Sequence, residues 1–323
     1  MPSMKLSAAD ITGIVGMIPT PSTPDADHWS CENSIAFDET EKMVSTIFKG
    51  GVRIFLTNGS LGEGATLTAR EHKDFTDCVV KAHGGKGLVF AGVTTLNTRD
   101  TIARARSLID VGADGLFLGR PMWMSLDQAS IVRYYQDLSE ALPGIPFIVY
   151  DNEFAFKAKI ETKTYAELSR NPSIIGTKHI GGPSIVDDIH VVEGRMRVLP
   201  LDNQWAALAE SHTEEMRACW SGNVADGCEP LIALQAAVKA RDWSRASHIS
   251  KRMIWAQSPM FPQGKIEIFV DYNIPLAHAR IDGSGLVKSG PPRPPYMLAP
   301  EDYMEGGRET GRRWAALREE FSV

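Results

Sequence analysis

Long apolar runs are missing from this chain of 323 residues. The longest, at 88–93 and 147–150, fall far short of the ~20 residues that cross a bilayer as a helix, so no membrane partner is expected. Cysteine is scarce. Cys31, Cys78, Cys219 and Cys228 lie far apart with no CxxC pair, so neither a disulfide framework nor a zinc site is expected, and a reducing cytoplasm fits. The eight histidines form no HExxH or other ligand spacing, which leaves a metal mechanism without support. Positive charge is not in excess. A net charge of −6 argues against nucleic acid or an anionic membrane surface as partner. The N-terminal stretch MPSMKLSAADITG has neither an apolar core nor a cleavage site, so no secretory leader is read.

What is present is alternation. Short β-branched or aromatic runs at 13–19, 53–58, 88–93, 115–118, 146–150, 174–178, 197–200 and 217–220 read as strands. Between them lie amphipathic segments at 38–48, 69–82, 99–111, 126–141, 164–170 and 204–211. Several end at glycine-containing turns, as helix C-termini do. Eight strands alternating with helices predict α/β architecture, a (β/α)8 TIM barrel, over a doubly wound open sheet, since no strand–GxGxxG–helix fingerprint opens the chain. Strand signals stop near Asp226. Helical spacing resumes beyond it, with a helix interrupted near Pro275 and a last helix at about 302–320. The expected division is a barrel over residues 1–225 and a C-terminal helical appendage over 226–323.

In such a barrel the carboxyl ends of the strands face the active-site mouth. Lys178 ends the sixth strand, in "IIGTKH". Burial there disfavours the ammonium, and a neutral amine can attack a ketone to form a Schiff base. A lysine that snorkels to solvent at the rim is the alternative. Tyr150 ends the fifth strand and could shuttle protons, or be a buried tyrosine bonded to backbone. The glycine-rich "NGSLGEGATLT" follows the second strand, a setting for anion binding by backbone N–H groups. It lacks a P-loop lysine. A carboxylate held by the Ser60 and Leu61 amides fits better than a nucleotide, and a plain turn capped by Glu63 and Thr66 is the bland reading. The late Met and Trp residues are expected to be core or interface, and "PPRPP" a rigid packed connector.

The set GSLGE, a strand-end tyrosine, and a strand-end lysine 28 positions later resembles the class I, Schiff-base pyruvate aldolases, the superfamily of dihydrodipicolinate synthase and N-acetylneuraminate lyase. The resemblance implies a barrel with C-terminal helices and a homotetramer. It implies Lys178 as the Schiff-base lysine, Tyr150 as the catalytic phenol and Gly59, Ser60 and Leu61 as the pyruvyl-carboxylate loop, with no added cofactor. Leu61 stands where the family loop usually has a second hydroxyl, and Trp123 stands where the synthase has a tyrosine. The synthase's arginine beyond the strand-five tyrosine is replaced by "DNEFAF".

"MIPTPSTPDA", "GEGATLT", "TTLNTRD", "PMW", "YDN" and "RPPYMLAPEDY" look like a narrower branch, the hydratase-aldolases of aromatic degradation. These cleave benzylidenepyruvates to an aromatic aldehyde and pyruvate. That branch implies small-molecule 2-oxo acid and aromatic aldehyde partners, Asn152 positioning water or holding Tyr150, and Trp123 and Trp220 lining an aromatic mouth. Arg120 in "LGRPMW" suits a ring carboxylate, with His179 as a further donor, making trans-2'-carboxybenzalpyruvate the expected substrate. If Arg120 instead pairs with Asp151 or Glu153, trans-o-hydroxybenzylidenepyruvate is the better expectation. A synthase or dehydratase of aliphatic 2-oxo acids and a non-catalytic 2-oxo acid binder are the rival classes.

Overall fold

The computed structural model describes residues 6–322. The first five residues of the stretch read for a leader, and Val323 of the C-terminal region, lie outside the described residues. Eight parallel strands form one sheet: β1 (Gly13–Met17), β2 (Ile54–Leu56), β3 (Leu88–Gly92), β4 (Gly115–Leu118), β5 (Phe147–Tyr150), β6 (Ile174–Lys178), β7 (Arg197–Leu199) and β8 (Ala218–Ser221). Neighbours in sequence are neighbours in space, and β8 returns to β1. A parallel bridge between Leu201 and Trp220, with Trp220 N donating to Pro200 O (2.9 Å), closes the ring between β7 and β8. The result is a (β/α)8 TIM barrel.

Its strands read as continuous apolar runs because both faces are covered. Inside, Val15, Met17, Ile54, Leu56, Phe90 and Phe117 fill the barrel axis. Outside, a second layer including Phe55, Val89, Leu116, Phe147 and Val149 packs beneath the helices. The helices start where side chains satisfy their first amides. Thr68 and Glu71 form a capping box, and Asn97 and Asp127 each accept from the third amide of their helix.

Two short helices follow no expected segment. Glu153–Phe156 is capped by Asn152, and Ile185–Val191 is rich in β-branched residues that disfavour helix by themselves but bury Ile185 and Ile189. The helix that follows β8, Glu229–Lys239, packs beside β1, where Gln235 Oε1 accepts from Ile14 N (3.1 Å). Eight β/α pairs therefore run to Lys239, and a division at residue 225 falls between the eighth strand and its helix. The expected break near Pro275 lies at Tyr272, between helices Ile266–Asp271 and Asn273–Ser284. Pro275 falls in a helical first turn, where its missing N–H has no acceptor to satisfy. The last helix spans Glu301–Glu320.

One irregularity aims the site. Phe147 pairs with Ile174, but Ile148 pairs with Gly176, so the strand register shifts at Ile175. The shift brings Tyr150 opposite Lys178. Strict alternation from Ile174, which belongs to the outer layer, would carry Lys178 outward as well. The extra residue reverses that parity and turns the lysine into the barrel.

Candidate active site

Lys178 is buried, at 3% exposure, among the strand ends. Its Nζ lies 3.6 Å from the ring centroid of Trp220 and 4.9 Å from that of Tyr150. Burial pushes its amine down to about 7, against a smaller upward pull from the Asp151 carboxylate. A substantial neutral fraction at neutral pH follows. The Trp220 indole is fixed by Nε1 donating to His179 O (2.7 Å).

Tyr150 stacks on Phe117, with centroids 4.5 Å apart, and meets Phe156 edge-on at 5.2 Å. Its hydroxyl accepts from Asn152 Nδ2 (3.1 Å) and shares a 2.9 Å hydrogen bond with Ser60 Oγ. Asn152 Oδ1 in turn accepts from Ala155 N (3.2 Å), so the amide is oriented from both ends, and its second N–H has no acceptor among the described residues. Gly59 lies beneath this ring. A Cβ there would stand 3.0 Å from Phe117 and 3.6 Å from Tyr150.

The loop after β2 turns back on itself through Glu63 N to Ser60 O and Gly64 N to Gly59 O, both 3.1 Å. Among the described residues neither Ser60 N nor Leu61 N donates to a protein acceptor. Two adjacent free amides beside Tyr150 can receive a carboxylate without a cation. The Leu61 side chain is partly buried against the core, where an apolar residue fits in place of the family's usual hydroxyl.

Lys178, Tyr150, Asn152, Ser60, Leu61 and Trp220 line one cavity of about 310 Å³. Three further residues expected there do not reach it. Arg120 is wholly buried behind the sheet, its Nη1 on Asp151 Oδ1 (3.1 Å) and Nη2 on Ala158 O (2.6 Å). It pairs with the acidic neighbour rather than facing a ring carboxylate, because Asp151 follows Tyr150 and points to the opposite side of the strand. His179 points outward for the same reason: Nδ1 accepts from Gly181 N (2.9 Å) and Nε2 bonds to Asp188 (3.1 Å). Trp123, in the loop that leaves β4, is 75% exposed on a separate open groove with Leu96 and Tyr296.

Residues missed in the sequence close the other side of the cavity. Phe261, Ile266, Phe269, Asn273 and Arg280 come from the C-terminal appendage. Asn273, Ala277 and Arg280 share one face of their helix by the i, i+4, i+7 rule, the single local signal that could have grouped them. Arg280 is paired with Asp226 (2.8 Å) and donates to Gly222 O (2.8 Å). No cluster of three or more potential metal ligands occurs among the described residues.

The chain resembles known proteins along its whole length. It is 42% identical over 325 residues to trans-2'-carboxybenzalpyruvate hydratase-aldolase of Nocardioides sp. (strain KP7), covering 99% of this chain and 98% of the relative. It is 38% identical over 322 residues to trans-O-hydroxybenzylidenepyruvate hydratase-aldolase of Pseudomonas putida, covering 98% and 97%. Among solved structures, one described as PhdJ bound to substrate intermediate superposes with a TM-score of 0.98 at 44% identity, covering 99% of this chain and 100% of that one. Residues 14–198 match the description of the dihydrodipicolinate synthetase family. This chain belongs to the dihydrodipicolinate synthetase family.

Proposed function

We infer that this protein is a lyase, a hydratase-aldolase that converts a trans-benzylidenepyruvate to an aromatic aldehyde and pyruvate in the breakdown of aromatic hydrocarbons. The full-length similarity to enzymes of that name supports the reaction class. The observation that carries the chemistry is a buried lysine facing a hydrogen-bonded tyrosine across one strand pair.

The steps follow from those side chains. Neutral Lys178 adds to the C2 ketone, and the Tyr150 proton leaves with the carbinolamine hydroxyl as water. An iminium and a phenolate remain. Conjugation through the C3–C4 double bond makes C4 electrophilic; water adds its oxygen to C4, and a proton comes to rest on C3. Asn152, through its unused N–H, directs that water. The Tyr150 phenolate then takes the C4 hydroxyl proton, the C3–C4 bond breaks, and its electrons pass to the iminium as an enamine. The aldehyde departs. Tyr150 returns the proton to C3, and water then hydrolyses the iminium, freeing pyruvate and the neutral lysine while the proton released goes back to the Tyr150 phenolate. Ser60 and Leu61 amides hold the carboxylate throughout, Gly59 admits the Tyr150 ring, and Trp220 covers the amine. The iminium is the electron sink, so the scheme uses no other cofactor.

The higher identity favours the ortho-carboxylate substrate, trans-2'-carboxybenzalpyruvate, giving 2-carboxybenzaldehyde. The pairing of Arg120 with Asp151 favours the o-hydroxy compound instead, since it removes a free cation from the ring's surroundings. Relative kcat/KM on the two compounds decides between them. The class itself is tested by incubation with pyruvate and borohydride followed by peptide mass mapping: the label is expected on Lys178, and label elsewhere or nowhere overturns the scheme. The four scattered cysteines support a reducing cytoplasm, and the family likeness supports a homotetramer, which sedimentation of the purified protein checks.

A further inference from the structure

Glu63 lies where the loop after β2 meets chain from 215 and 230 residues away. It is 1% exposed, and its φ of +51° is a left-handed conformation that non-glycine residues adopt only when held there. What holds it is the appendage. Oε1 accepts from His278 Nε2 (2.8 Å) and Arg293 Nη1 (2.5 Å), and Oε2 accepts from Arg293 N (2.9 Å). Arg293 spends its other donors on Ser34 Oγ (2.6 Å), Ser34 O (2.8 Å), Thr20 O (3.0 Å) and Pro21 O (3.3 Å). Thr20 Oγ1 donates to Gly62 O (2.8 Å), tying the same turn from the barrel side. None of these bonds uses the amides of Ser60 or Leu61.

His278 sits on helix Asn273–Ser284, whose Asn273, Ala277 and Arg280 wall the Lys178 cavity. One side chain therefore joins the cavity wall to the loop. Burial alone would raise the Glu63 carboxyl, but the hydrogen bond and charge of His278 and the charge of Arg293 outweigh it and hold it below the ordinary carboxylate value. The carboxylate stays charged, and so keeps its grip, through the neutral range. Amide donors select a carboxylate only when held within a few tenths of an ångström, which a glycine-rich turn cannot do by itself.

We propose that Glu63, Arg293 and His278 form a latch through which the C-terminal appendage sets the Ser60 and Leu61 amides for the carboxylate of the 2-oxo acid. All three are positioning residues; none touches substrate. The inference rests on the reading that this loop holds the pyruvyl carboxylate and Lys178 forms the Schiff base.

The experiment compares two ketones in the full-length enzyme. Borohydride trapping on Lys178, read by intact mass, is titrated with pyruvate and with acetone, which offers the carbonyl but no carboxylate. In Arg293→Lys and His278→Gln, half-saturating pyruvate should rise about 10-fold or more, the effect of weakening charge-assisted hydrogen bonds, while acetone changes by less than about 2-fold. Either variant suffices if the other does not fold. Equal weakening toward both ketones, or no change toward pyruvate, overturns the latch and leaves the Schiff base standing. A wild-type chain that traps neither ketone overturns the Schiff-base reading and the latch with it.

Discussion

At the scale of single residues, the cost of a buried amine is measurable apart from its chemistry. Burial holds the Lys178 amine down to about 7, against an ordinary value of 10.5 in an exposed chain. Between those values the unfolded chain binds more protons, so stability should rise with pH across that window. Replacing the amine with an apolar side chain of similar length removes the cost. Lys178→Met is expected to abolish turnover yet raise stability by about 2–4 kcal/mol at pH 7. The gain should shrink toward zero near pH 10.5. Urea titrations at pH 7 and pH 10 check this, and a gain independent of pH would show that desolvation is not the cause. Arg120 makes the opposite case, a charge that is paired. Arg120→Lys keeps the cation but loses the fork, so kcat/KM should fall by the same factor, within about 2-fold, on the carboxy and hydroxy substrates. A loss confined to the carboxy compound would return Arg120 to substrate recognition. Lys178 and Tyr150 were legible as strand ends because polar residues closing apolar runs stand out. Arg120 and His179 look equally polar at strand ends, and only parity relative to the sheet separates them from the site.

At the scale of elements, the strands were legible to within a residue or two because most are short apolar runs with glycine or proline close to one end. The register shift at Ile175 was not. Gly176 within "SIIGTK" permits a bulge, but its place and its effect on parity are defined by the partner strand, β5. The glycines of the loop after β2 mark a tight turn that is legible in sequence, but what fixes that turn is not. Two glycine substitutions separate geometry from conformation there. A Cβ on Gly64 would lie 2.1 Å from Asn58 O, a backbone atom that cannot yield without moving the loop. Gly64→Ala should cost about 2 kcal/mol or more and weaken pyruvate trapping in parallel. Gly84, which ends helix Ala69–His83 at φ +65°, has nothing within 4 Å of its would-be Cβ. Gly84→Ala should cost about 1 kcal/mol and leave trapping unchanged. Melting and trapping measured on the same two preparations check both, and a Gly64→Ala enzyme with normal pyruvate affinity would detach loop shape from carboxylate binding.

At the scale of the whole molecule, the change from strands to helices alone is legible in sequence, because strand signals stop after the eighth strand at Ala218–Ser221 while helical ones continue. The dependence of barrel and appendage on each other is not, since it is carried by bonds between residues far apart. Glu63 is buried against Arg293 and His278, Arg280 donates to Gly222 O, Trp314 Nε1 donates to Gly227 O (3.0 Å), and Asn203 Nδ2 donates to Gln257 Oε1 (2.9 Å). Separating the two parts would leave at least one buried carboxylate without its cations, and breaking a buried pair costs roughly 3–5 kcal/mol. No partly unfolded state with an intact barrel and a detached appendage is therefore expected to accumulate. Urea unfolding followed by tryptophan fluorescence should give one transition, coincident with the loss of helix by circular dichroism. Its tryptophans report both parts, since Trp205 and Trp314 are each buried, one in the barrel and one in the last helix. A fluorescence change preceding the loss of barrel ellipticity would mean that the appendage is an independent domain. The wall it lends to the Lys178 cavity would then be movable rather than built in.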